Sequence, residues 1–230
     1  GGHVGAVGHR VVHGGPRHST AALVDDELVD YLDSISDLAP LHNPRAVAGL
    51  RSVGELLPGV PAVAAFDTAF HATLPAAART YALPREWNTQ YGLRRYGFHG
   101  LSHAYAVRRA AALIGRPLEE LCVVSCHLGA GSSLAAVRDG LSVDTTMGFT
   151  PLAGLVMQTR SGSIDPGLLL WLLQHAVTDI EALATVLEHR SGLKGLSGTS
   201  GDLRDVLAAR EVGDADAALA LDVFVHRLVR

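Results

Sequence analysis

A glycine-rich loop between two short apolar runs is the feature that most restricts how this chain can fold. The loop, residues 126–133, has the sequence CHLGAGSS, and apolar runs at 121–125 and 134–137 flank it. Both runs resemble buried strands, and the second leads to Asp139-Gly140, a dipeptide that favours a type I′ turn. We therefore predict two strands joined by the glycine loop, with a hairpin turn after the second strand.

The glycine loop has two possible roles. Glycines let backbone N–H groups approach an anion closely, so such a loop can hold phosphate. Because a strand and not a helix follows it, the loop differs from the P-loop and from the dinucleotide-binding fingerprint. An ordinary Gly-Ser hairpin explains the same residues equally well, and the neighbouring segments have to decide between the two.

The composition indicates a globular protein with no nucleic-acid or membrane partner. The 230 residues are 48% hydrophobic and 18% charged, which supplies enough apolar surface for a core. The net charge of -4 gives no basic field for nucleic acid or anionic lipid. No apolar run reaches the roughly 20 residues that cross a bilayer, and the first residues lack the pattern of a signal peptide. We expect a cytoplasmic location.

The cysteines and the basic residues limit the chemistry further. Cys122 and Cys126 fall on one face of a predicted strand, where they cannot reach disulfide geometry, so we predict reduced thiols in the core. With His127 they lack the paired spacing of a zinc site. Lys194 is the only lysine, so a clamp for phosphate or carboxylate has to come from arginine, histidine and backbone N–H groups.

Strand and helix patterns are mixed along the chain, which is typical of an α/β fold. We predict strands near the N-terminus and over 61–66, irregular segments over 72–87 and 144–154, and helices over 25–38, 46–57, 104–114, 168–175, 179–190 and from 214 onward. Ser102 and Asp202 are the predicted caps of the helices that follow them. A domain boundary near residue 71 is expected.

Asp67 directly follows the predicted strand 61–66. Functional groups collect at the carboxyl ends of strands in α/β sheets, so Asp67 is a candidate site residue, although an Asx turn explains it without any function. A lone histidine is more often a satisfied structural group than a catalyst. Structural roles are therefore preferred for His9, His13, His18, His71 and His103.

Eight blocks, in a fixed order, carry a resemblance to one known family. They include VGHRVVHGG at 7–15, FDTAFH at 66–71 and TRSGSIDP at 159–166, with further blocks at 39–44, 95–103, 126–133, 144–154 and 201–206. Together they closely resemble the acetate kinase family. The resemblance implies the two-domain α/β fold of sugar kinases, actin and the heat-shock ATPases, closing on ATP and magnesium. It also implies reversible phosphoryl transfer between ATP and acetate, giving acetyl phosphate and ADP, and a homodimer packed through the second domain.

The resemblance further implies that parts of this fold lie outside the sequence. Family members begin with an Asn-Gly-Ser-Ser phosphate loop and continue into a Gly-Ile-Gly-Glu adenine loop and a magnesium-binding glutamate, which are absent here. We therefore expect an acetate-binding first domain over 1–71 and a nucleotide-binding second domain over 72–230, lacking N- and C-terminal parts. No magnesium ligand is assigned within the sequence, because these ligands are expected in the missing termini.

Acetate is a small anion with a methyl group, so its site needs one cation and an apolar pocket. By resemblance, Arg10 binds the carboxylate and His42 supports the acetate side of the site. The apolar wall is assigned in the same way to Val12, Leu41, Phe98 and Pro151. A surface ion pair for Arg10 and plain core packing for the apolar residues are the alternatives.

Three residues match catalytic positions of the family: Asp67, His99 and Arg160. Phosphoryl transfer spreads charge over the oxygens of the moving group, so catalysis is mostly positioning and electrostatic stabilisation, the roles that His99 and Arg160 match. Asp67 has no proton to remove, because acetate is already ionised at neutral pH. Positioning of magnesium, positioning of the nucleophile and service to a protonated substrate all stay open for Asp67.

The resemblance assigns the nucleotide to two loops. The phosphates are expected at His127, Leu128, Gly129, Ala130 and Gly131, and the adenosine at Asp202, Leu203 and Arg204. Ala130 stands where the family usually has asparagine, which removes a side-chain donor and predicts weaker ATP binding. Leu101 in place of threonine and Ser163 in place of an acidic residue are smaller departures.

Two other functions remain open. Propionate or butyrate kinase is one, since a methylene in an apolar pocket changes specificity by only about 1–3 kcal/mol. A non-catalytic nucleotide-binding module of the same fold is the other, although the retained Asp67, His99 and Arg160 argue against it. A serine hydrolase is disfavoured because the sequence has no Gly-x-Ser-x-Gly elbow.

Overall fold

The computed structural model describes residues 3–176 and 179–229. Within them the strands are β1 Val7–Val11, β2 Ala22–Leu23, β3 Ala62–Phe66, β4 Cys122–Leu128, β5 Ser132–Arg138 and β6 Leu141–Thr145. The α-helices are α1 Asp26–Ser34, α2 Asn43–Leu56, α3 Ala76–Arg79, α4 Arg85–Gln90, α5 Gly100–Ile114, α6 Pro166–His175, α7 Ile180–Thr185, α8 Gly192–Ser197, α9 Leu203–Glu211 and α10 Ala215–Leu228. The predicted α/β class is confirmed, while residues 1, 2 and 230, the outer ends of the predicted domains, lie outside the described residues.

The first sheet has the order β1-β3-β2, with β1 parallel to β3 and β2 antiparallel to it. Parallel strands need a crossover, and α1 and α2 lie between β1 and β3 in the chain. Leu32 of α1 and Val47 of α2 are buried in one core with Phe66 of β3. The helical spacing of the apolar residues therefore produces the faces that pack in this core.

Local signals in the sequence place the start of the first two helices. Asp25 accepts a hydrogen bond from the backbone N–H of Leu28 at 2.8 Å and caps α1. Helix α2 begins at Asn43 with Pro44 in its first turn, where proline is well tolerated. Helix α2 therefore begins three residues before the start at 46 that the sequence predicts.

The second sheet has the order β4-β5-β6. Asp139 and Gly140 join β5 to β6 with φ angles of 53° and 77°. Positive φ at both central residues is what a type I′ turn requires, so this prediction is confirmed. Strand β6, which follows this turn, continues to Thr145, so the prediction of an irregular segment over 144–154 is wrong for its first two residues.

Strand β4 exposes one face. Cys122, Val124, Cys126 and Leu128 are exposed along it, while Ser125 is buried on the other side. Both cysteines are free thiols, but the prediction that they lie in the core is wrong. The two cysteines do share one face of the strand, as the strand pattern predicts, but that face is exposed and not buried.

The region before the hairpin differs from the prediction in two places. Helix α5 begins at Gly100, and the residue at its N-cap is His99 in a left-handed conformation, so the predicted cap at Ser102 is wrong. Ser102 lies inside the first turn of the helix. The segment over 72–87, predicted as irregular, contains α3 and the start of α4.

The chain divides into two compact units. Unit 1 comprises the residues up to Cys126 together with Leu134–Pro151, and unit 2 comprises His127–Ser133 together with the residues from Leu152 onward. The division passes through the β4-β5 hairpin, whose tip belongs to unit 2, and not through residue 71. The assignment of 1–71 and 72–230 to the two domains of the family fold stays a prediction.

Unit 2 has its own apolar core. Val156 and Leu193 pack there with Val206 of α9 and Ala217 and Ala220 of α10. The two small alanines let α10 approach its neighbours closely. In the described part of the chain, every helix is too short or too polar to cross a bilayer.

Candidate active site

Arg10 and Asp67 form an ion pair at the carboxyl ends of two adjacent strands. The Arg10 Nη2 lies 2.6 Å from the Asp67 Oδ2, and Nε lies 3.1 Å from Oδ1. The backbone N–H of Asp67 also donates to the Val11 carbonyl at 3.0 Å, which continues the β1-β3 pairing. The sheet therefore places this pair, whose members are 57 residues apart in the chain.

The two partners of this ion pair differ in exposure. The Asp67 side chain is 2% exposed and the Arg10 side chain 60%. The hydrogen bond to Asp67 raises the pKa of Arg10, which stays charged. A two-pronged contact of this kind fixes the orientation of the guanidinium and leaves its outer edge, with Nη1, facing away from the carboxylate.

The start of helix α5 lies against the backbone of Asp67. The backbone N–H of Gly100 donates to the Asp67 carbonyl at 2.9 Å. A Cβ on Gly100 would overlap that carbonyl oxygen, so only glycine fits here. His99, the residue before it, has a φ of 58°, a conformation that is uncommon outside glycine. The backbone of Asp67 is thus hydrogen-bonded to the residue that follows His99, and this contact brings two candidate catalytic residues into neighbouring positions.

His71 is fully buried below this contact. Its Nδ1 lies 2.8 Å from the Ser142 Oγ and its Nε2 3.0 Å from the Phe98 carbonyl. Burial lowers the pKa of His71 to about 4, against a weaker opposing effect of the Phe98 carbonyl. The ring is therefore neutral at physiological pH.

The predicted apolar wall is held together by residues that sequence reasoning did not single out. Asn43, fully buried, accepts from the backbone N–H of His13 at 3.2 Å and donates to its carbonyl at 3.1 Å. These two hydrogen bonds join the segment that contains Val12 to the segment that contains Leu41 and His42. Val12 and Leu41 keep partly exposed side chains, and Leu41 is 39% exposed.

His13 also contacts the aromatic side of the site. Its ring lies 4.4 Å from the Tyr96 ring and 5.6 Å from the Phe98 ring, centroid to centroid. Burial, and secondarily the charge of Arg94, lower the pKa of His13 to about 4. Both ring nitrogens of His71 are hydrogen-bonded, whereas His13 accepts from the Gly15 N–H at Nδ1 and its buried Nε2 has no partner among the residues that the structure describes.

The segment that ends at Pro151 is tied to the same region of unit 1. The backbone N–H groups of Tyr96 and Gly97 both donate to the Gly148 carbonyl, at 3.1 and 3.3 Å. The Tyr96 and Phe149 rings lie 6.0 Å apart. Pro151 is partly buried two residues further on.

In unit 2, a cavity of about 300 Å³ brings the two predicted nucleotide loops together. The hairpin tip contributes Leu128, Gly129 and Ala130, and the second loop contributes Asp202 and Leu203. Other lining residues are Ser132, Met157, Gln158, Leu193, Gly201 and Phe224. His127, Gly131 and Arg204 are adjacent in sequence to lining residues but are not part of the lining.

Backbone hydrogen bonds fix the shape of this cavity. Gln158 donates its N–H to the Ala130 carbonyl at 3.1 Å and accepts from the N–H of Lys194 at 2.9 Å. Gly201, with a φ of 79°, packs so closely that a Cβ would lie 2.5 Å from the Gln158 carbonyl oxygen. The side chain of Lys194 is exposed. The hairpin tip, the Gln158 turn and α8 thus form one hydrogen-bonded layer.

Asp202 caps helix α9, as predicted. Its Oδ1 accepts from the backbone N–H of Arg204 at 2.9 Å, and its Oδ2 lies 2.7 Å from the Arg204 Nη2. The side-chain contact with Arg204 lowers the pKa of Asp202 to about 2. Because the Arg204 side chain is 89% exposed, this ion pair lies at the surface.

Arg160 belongs to unit 2 and is partly buried. Its carbonyl accepts from the N–H of Met157 at 3.1 Å, closing a turn, and its Nη1 lies 4.0 Å from the Met157 Sδ. Burial lowers the pKa of Arg160, with a smaller opposing effect of Glu188. The three predicted catalytic residues are therefore divided, with Asp67 and His99 in unit 1 and Arg160 in unit 2.

Across residues 3–176 and 179–229, no group of three histidine, cysteine or acidic side chains has the arrangement of a metal site. The donor sets near the candidate residues are therefore too small to hold a metal without further ligands. Asp67 is a buried carboxylate of the kind that binds metal ions. Both of its oxygens, however, already accept hydrogen bonds from Arg10.

Comparison with known proteins identifies the family. The model of the acetokinase family matches residues 2–230. The acetate kinase of Bacillus thuringiensis subsp. konkukian is 53% identical over 225 residues, which are 98% of this chain and 57% of that relative. The chain belongs to the acetokinase family. It thus spans a little over half the length of this curated relative.

Solved structures of the acetokinase type have the same fold as this chain. The crystal structure of Porphyromonas gingivalis acetate kinase matches with a TM-score of 0.92 and 39% identity, covering 97% of this chain and 56% of that one. A propionate kinase from Francisella tularensis matches with a TM-score of 0.93 and 41% identity, covering 97% and 58%. The recognition of the family from its sequence blocks is confirmed.

Proposed function

We propose that this chain carries the acyl-anion and nucleotide sites of a magnesium-dependent enzyme that reversibly transfers phosphate from ATP to acetate. The products in this direction are acetyl phosphate and ADP. The observation that carries the proposal is the cavity of unit 2, which is lined by both loops assigned to the nucleotide from the sequence, at Gly129 and at Asp202. Family membership supplies the chemistry of the reaction.

On the acyl side, Arg10 is the cation for the carboxylate. Asp67 occupies its Nε and Nη2 edge, so a substrate carboxylate would bind the remaining edge of the same guanidinium. Val12 and Leu41, whose segments are joined through Asn43, supply apolar surface for a short alkyl group, whereas Phe98 is buried against the His13 ring.

The ion pair favours a positioning role for Asp67. Acetate offers no proton at neutral pH, so a general base has no task in this reaction. A buried carboxylate that holds Arg10 in one orientation accounts for the need for an acid at this position. Asp67 then acts on substrate binding through Arg10.

On the phosphate side, His99 and Arg160 supply positive or hydrogen-bonding groups for the moving phosphoryl group. Magnesium, when bound, neutralises charge on the nucleotide phosphates. Backbone N–H groups of the hairpin tip at Gly129 and Gly131 can approach phosphate oxygens because neither residue has a side chain.

Propionate is the second candidate substrate. It is favoured by the similarity to the Francisella tularensis propionate kinase, whose TM-score of 0.93 matches that of the acetate kinase structure within 0.01. One methylene changes specificity by only about 1–3 kcal/mol, so the two substrates differ in rate and not in mechanism.

The test uses what we call the completed enzyme, in which this chain replaces the matching segment of the Bacillus thuringiensis relative. Acetyl phosphate formed from ATP, magnesium and acetate is trapped as hydroxamate, with propionate and butyrate in parallel and the parental relative as positive control. We expect acetate-dependent hydroxamate formation. ATP binding by calorimetry without turnover on any of the three acids would instead identify a nucleotide-binding module.

We also propose a cytoplasmic homodimer. Helix α6 exposes Leu168, Leu170, Trp171 and Leu173, an apolar surface that a second copy could cover. The free, exposed thiols of Cys122 and Cys126 suit a reducing compartment. Sedimentation of the completed enzyme should give a dimer, and Trp171→Glu should shift it towards monomer; a monomer in both would reject this assembly.

A further inference from the structure

His71 joins the two backbone segments that carry Asp67 and His99. It lies on the helical turn Ala69–Thr73, whose N–H at His71 bonds the Thr68 carbonyl at 3.2 Å. A backbone carbonyl only accepts hydrogen bonds, so Nε2 of His71 carries the proton that is donated to the Phe98 carbonyl. Nδ1 is then the acceptor, and the Ser142 hydroxyl donates to it at 2.8 Å. The Phe98 carbonyl thereby fixes the tautomer of His71, and the Ser142 hydroxyl, which can donate or accept, pairs with the other ring nitrogen.

Two hydrogen bonds bracket His99. On one side, the His71 Nε2–H donates to the carbonyl of Phe98 at 3.0 Å. On the other, the N–H of Gly100 donates to the carbonyl of Asp67 at 2.9 Å. Both bonds run between the turn that follows β3 and the start of α5. They hold His99 in its left-handed conformation, with a φ of 58°.

The packing around His71 leaves this arrangement little freedom. Gly97, with a φ of 72°, passes directly over the imidazole, and a Cβ there would lie 2.7 Å from the His71 Cγ. Thr73, two residues after His71, donates its hydroxyl to the Ser142 carbonyl at 3.0 Å. Ser142 is itself fully buried. The ring is thus confined by Gly97 above and by β6 beside it.

We infer that His71 is a positioning residue, which keeps His99 in place relative to Asp67 by donating from Nε2 to the Phe98 carbonyl. The inference rests on the proposed function, because it assigns His71 a part in the phosphoryl transfer made by His99. Misplacement of a reacting group by ~1 Å costs up to about a hundredfold in rate, so loss of this single bond is measurable.

Two substitutions distinguish the hydrogen bond made by Nε2 of His71 from the one made by Nδ1. In His71→Gln the side-chain amide nitrogen falls near the position of Nε2 and can still donate to the Phe98 carbonyl. In His71→Asn the amide falls near Nδ1, so the partner of Ser142 is kept and the bond to Phe98 is lost. In the completed enzyme we expect His71→Asn to lower kcat between about tenfold and a hundredfold, with KM for acetate and ATP within about threefold. His71→Gln should stay within about threefold of the parent in kcat.

Val47→Ala, in the core of unit 1 and outside the site, controls for general destabilisation. If both His71 variants and Val47→Ala lose activity only in proportion to the unfolded fraction, His71 is merely structural and the inference is overturned. Should His71→Asn not fold, Ser142→Ala replaces it, because it removes the hydrogen-bond partner of Nδ1 and so loosens the imidazole ring. We then expect a smaller fall in kcat at unchanged KM, and an unchanged kcat would equally overturn the inference.

Failure of the proposed function can be recognised separately. If the completed enzyme has no phosphotransferase activity while the parental relative is active, the position of His99 is followed instead by the NMR shifts of its imidazole. A shift in His71→Asn that is absent in His71→Gln would support the inference without any turnover. Identical His99 shifts in both variants and the parent would reject it.

Discussion

The two units carry candidate residues of different kinds. In unit 1 the candidate residues depend on buried polar side chains: Asp67 is 1% exposed, and His13 and His71 are fully buried. In unit 2 the cavity proposed for the nucleotide includes the exposed tip of a hairpin at Gly129 and Ala130. Its main ion pair, between Asp202 and Arg204, is at the surface.

This difference teaches where function and stability are coupled. A buried polar group loses its hydration on folding and depends on its partners for compensation, so changes in unit 1 should affect both stability and activity. The backbone N–H groups of an exposed loop tip remain hydrated and need no protein partner, so changes there should affect binding alone. Arg160 is the exception in unit 2, because it is proposed to act on the rate of phosphoryl transfer and not on binding.

The largest effect is expected at this exception. Arg160→Ala in the completed enzyme should lower kcat for hydroxamate formation by about a hundred- to a thousandfold, since it removes a charged donor to the transferred phosphate. The melting temperature should change little. Arg190→Ala, an exposed arginine of the same unit, is the matched control and should keep the parental rate. Equal rates for Arg160→Ala and the parent would remove Arg160 from the mechanism.

Acid should destabilise unit 1 more than unit 2. The pKa values of His13 and His71 are about 4 in the folded state and 6.5 when the imidazoles are free of burial. Between these values the unfolded state binds more protons, so stability falls as the pH drops from 6.5 to 4. Each ring contributes up to about 3 kcal/mol of this loss.

The two tryptophans allow the acid effect to be measured for each unit. Trp87 lies in unit 1 and Trp171 in unit 2, so Trp171→Phe and Trp87→Phe each leave one fluorescent reporter. Urea midpoints are compared at pH 7.5 and 5. The Trp87 midpoint should fall more than the Trp171 midpoint. Parallel shifts would contradict the proposed difference between the units.

Gly100→Ala should cost about 1–3 kcal/mol of stability, because its Cβ would overlap the Asp67 carbonyl and push α5 away from the turn. The matched control is Gly54→Ala in α2, where a Cβ meets nothing within 4 Å. It should stabilise the chain by roughly 0.5–1 kcal/mol through helix propensity. Thermal unfolding of both variants measures the contrast, and a neutral Gly100→Ala would show that α5 can shift freely.

The smallest effect is expected at the hairpin tip. Ala130→Asn restores a side-chain donor beside the cavity, and one added hydrogen bond is worth about 0.5–1.5 kcal/mol, or roughly two- to tenfold in affinity. Calorimetry with ATP should detect this gain without a change in melting temperature. Ala208→Asn, on exposed α9 outside the cavity, should leave the affinity unchanged. A loss of affinity in Ala130→Asn would mean that the tip has no room for a side chain.

Short-range signals in the sequence predicted much of the fold. The positive φ angles at Asp139 and Gly140 follow from their own residue types, and the predicted cap at Asp202 acts on the N–H group two residues away. The helix at α1 follows from the spacing of Leu28 and Leu32. Such features need no knowledge of distant parts of the chain.

Features that depend on distant partners could not be predicted in the same way. The sequence predicts carboxylate binding for Arg10 and a catalytic role for Asp67, but it does not predict that the two form an ion pair. Nothing local in the sequence shows that β1 and β3 are neighbours. Cys122 and Cys126 have the pattern of a buried strand, yet their burial depends on what covers β4. The N-cap at His99 departs from residue preference because the Asp67 carbonyl, and not a side chain, takes the Gly100 N–H.

The solitary lysine has a practical use. Lys194 projects into solvent from α8, while its own N–H is bonded to the Gln158 turn that lines the unit 2 cavity. An amine-reactive dye can therefore be attached at a single side chain, once the terminal amine, with its lower pKa near 8, has been blocked. Fluorescence from that dye would report ligand binding in unit 2 as it happens, with no engineered cysteine and no coupled assay.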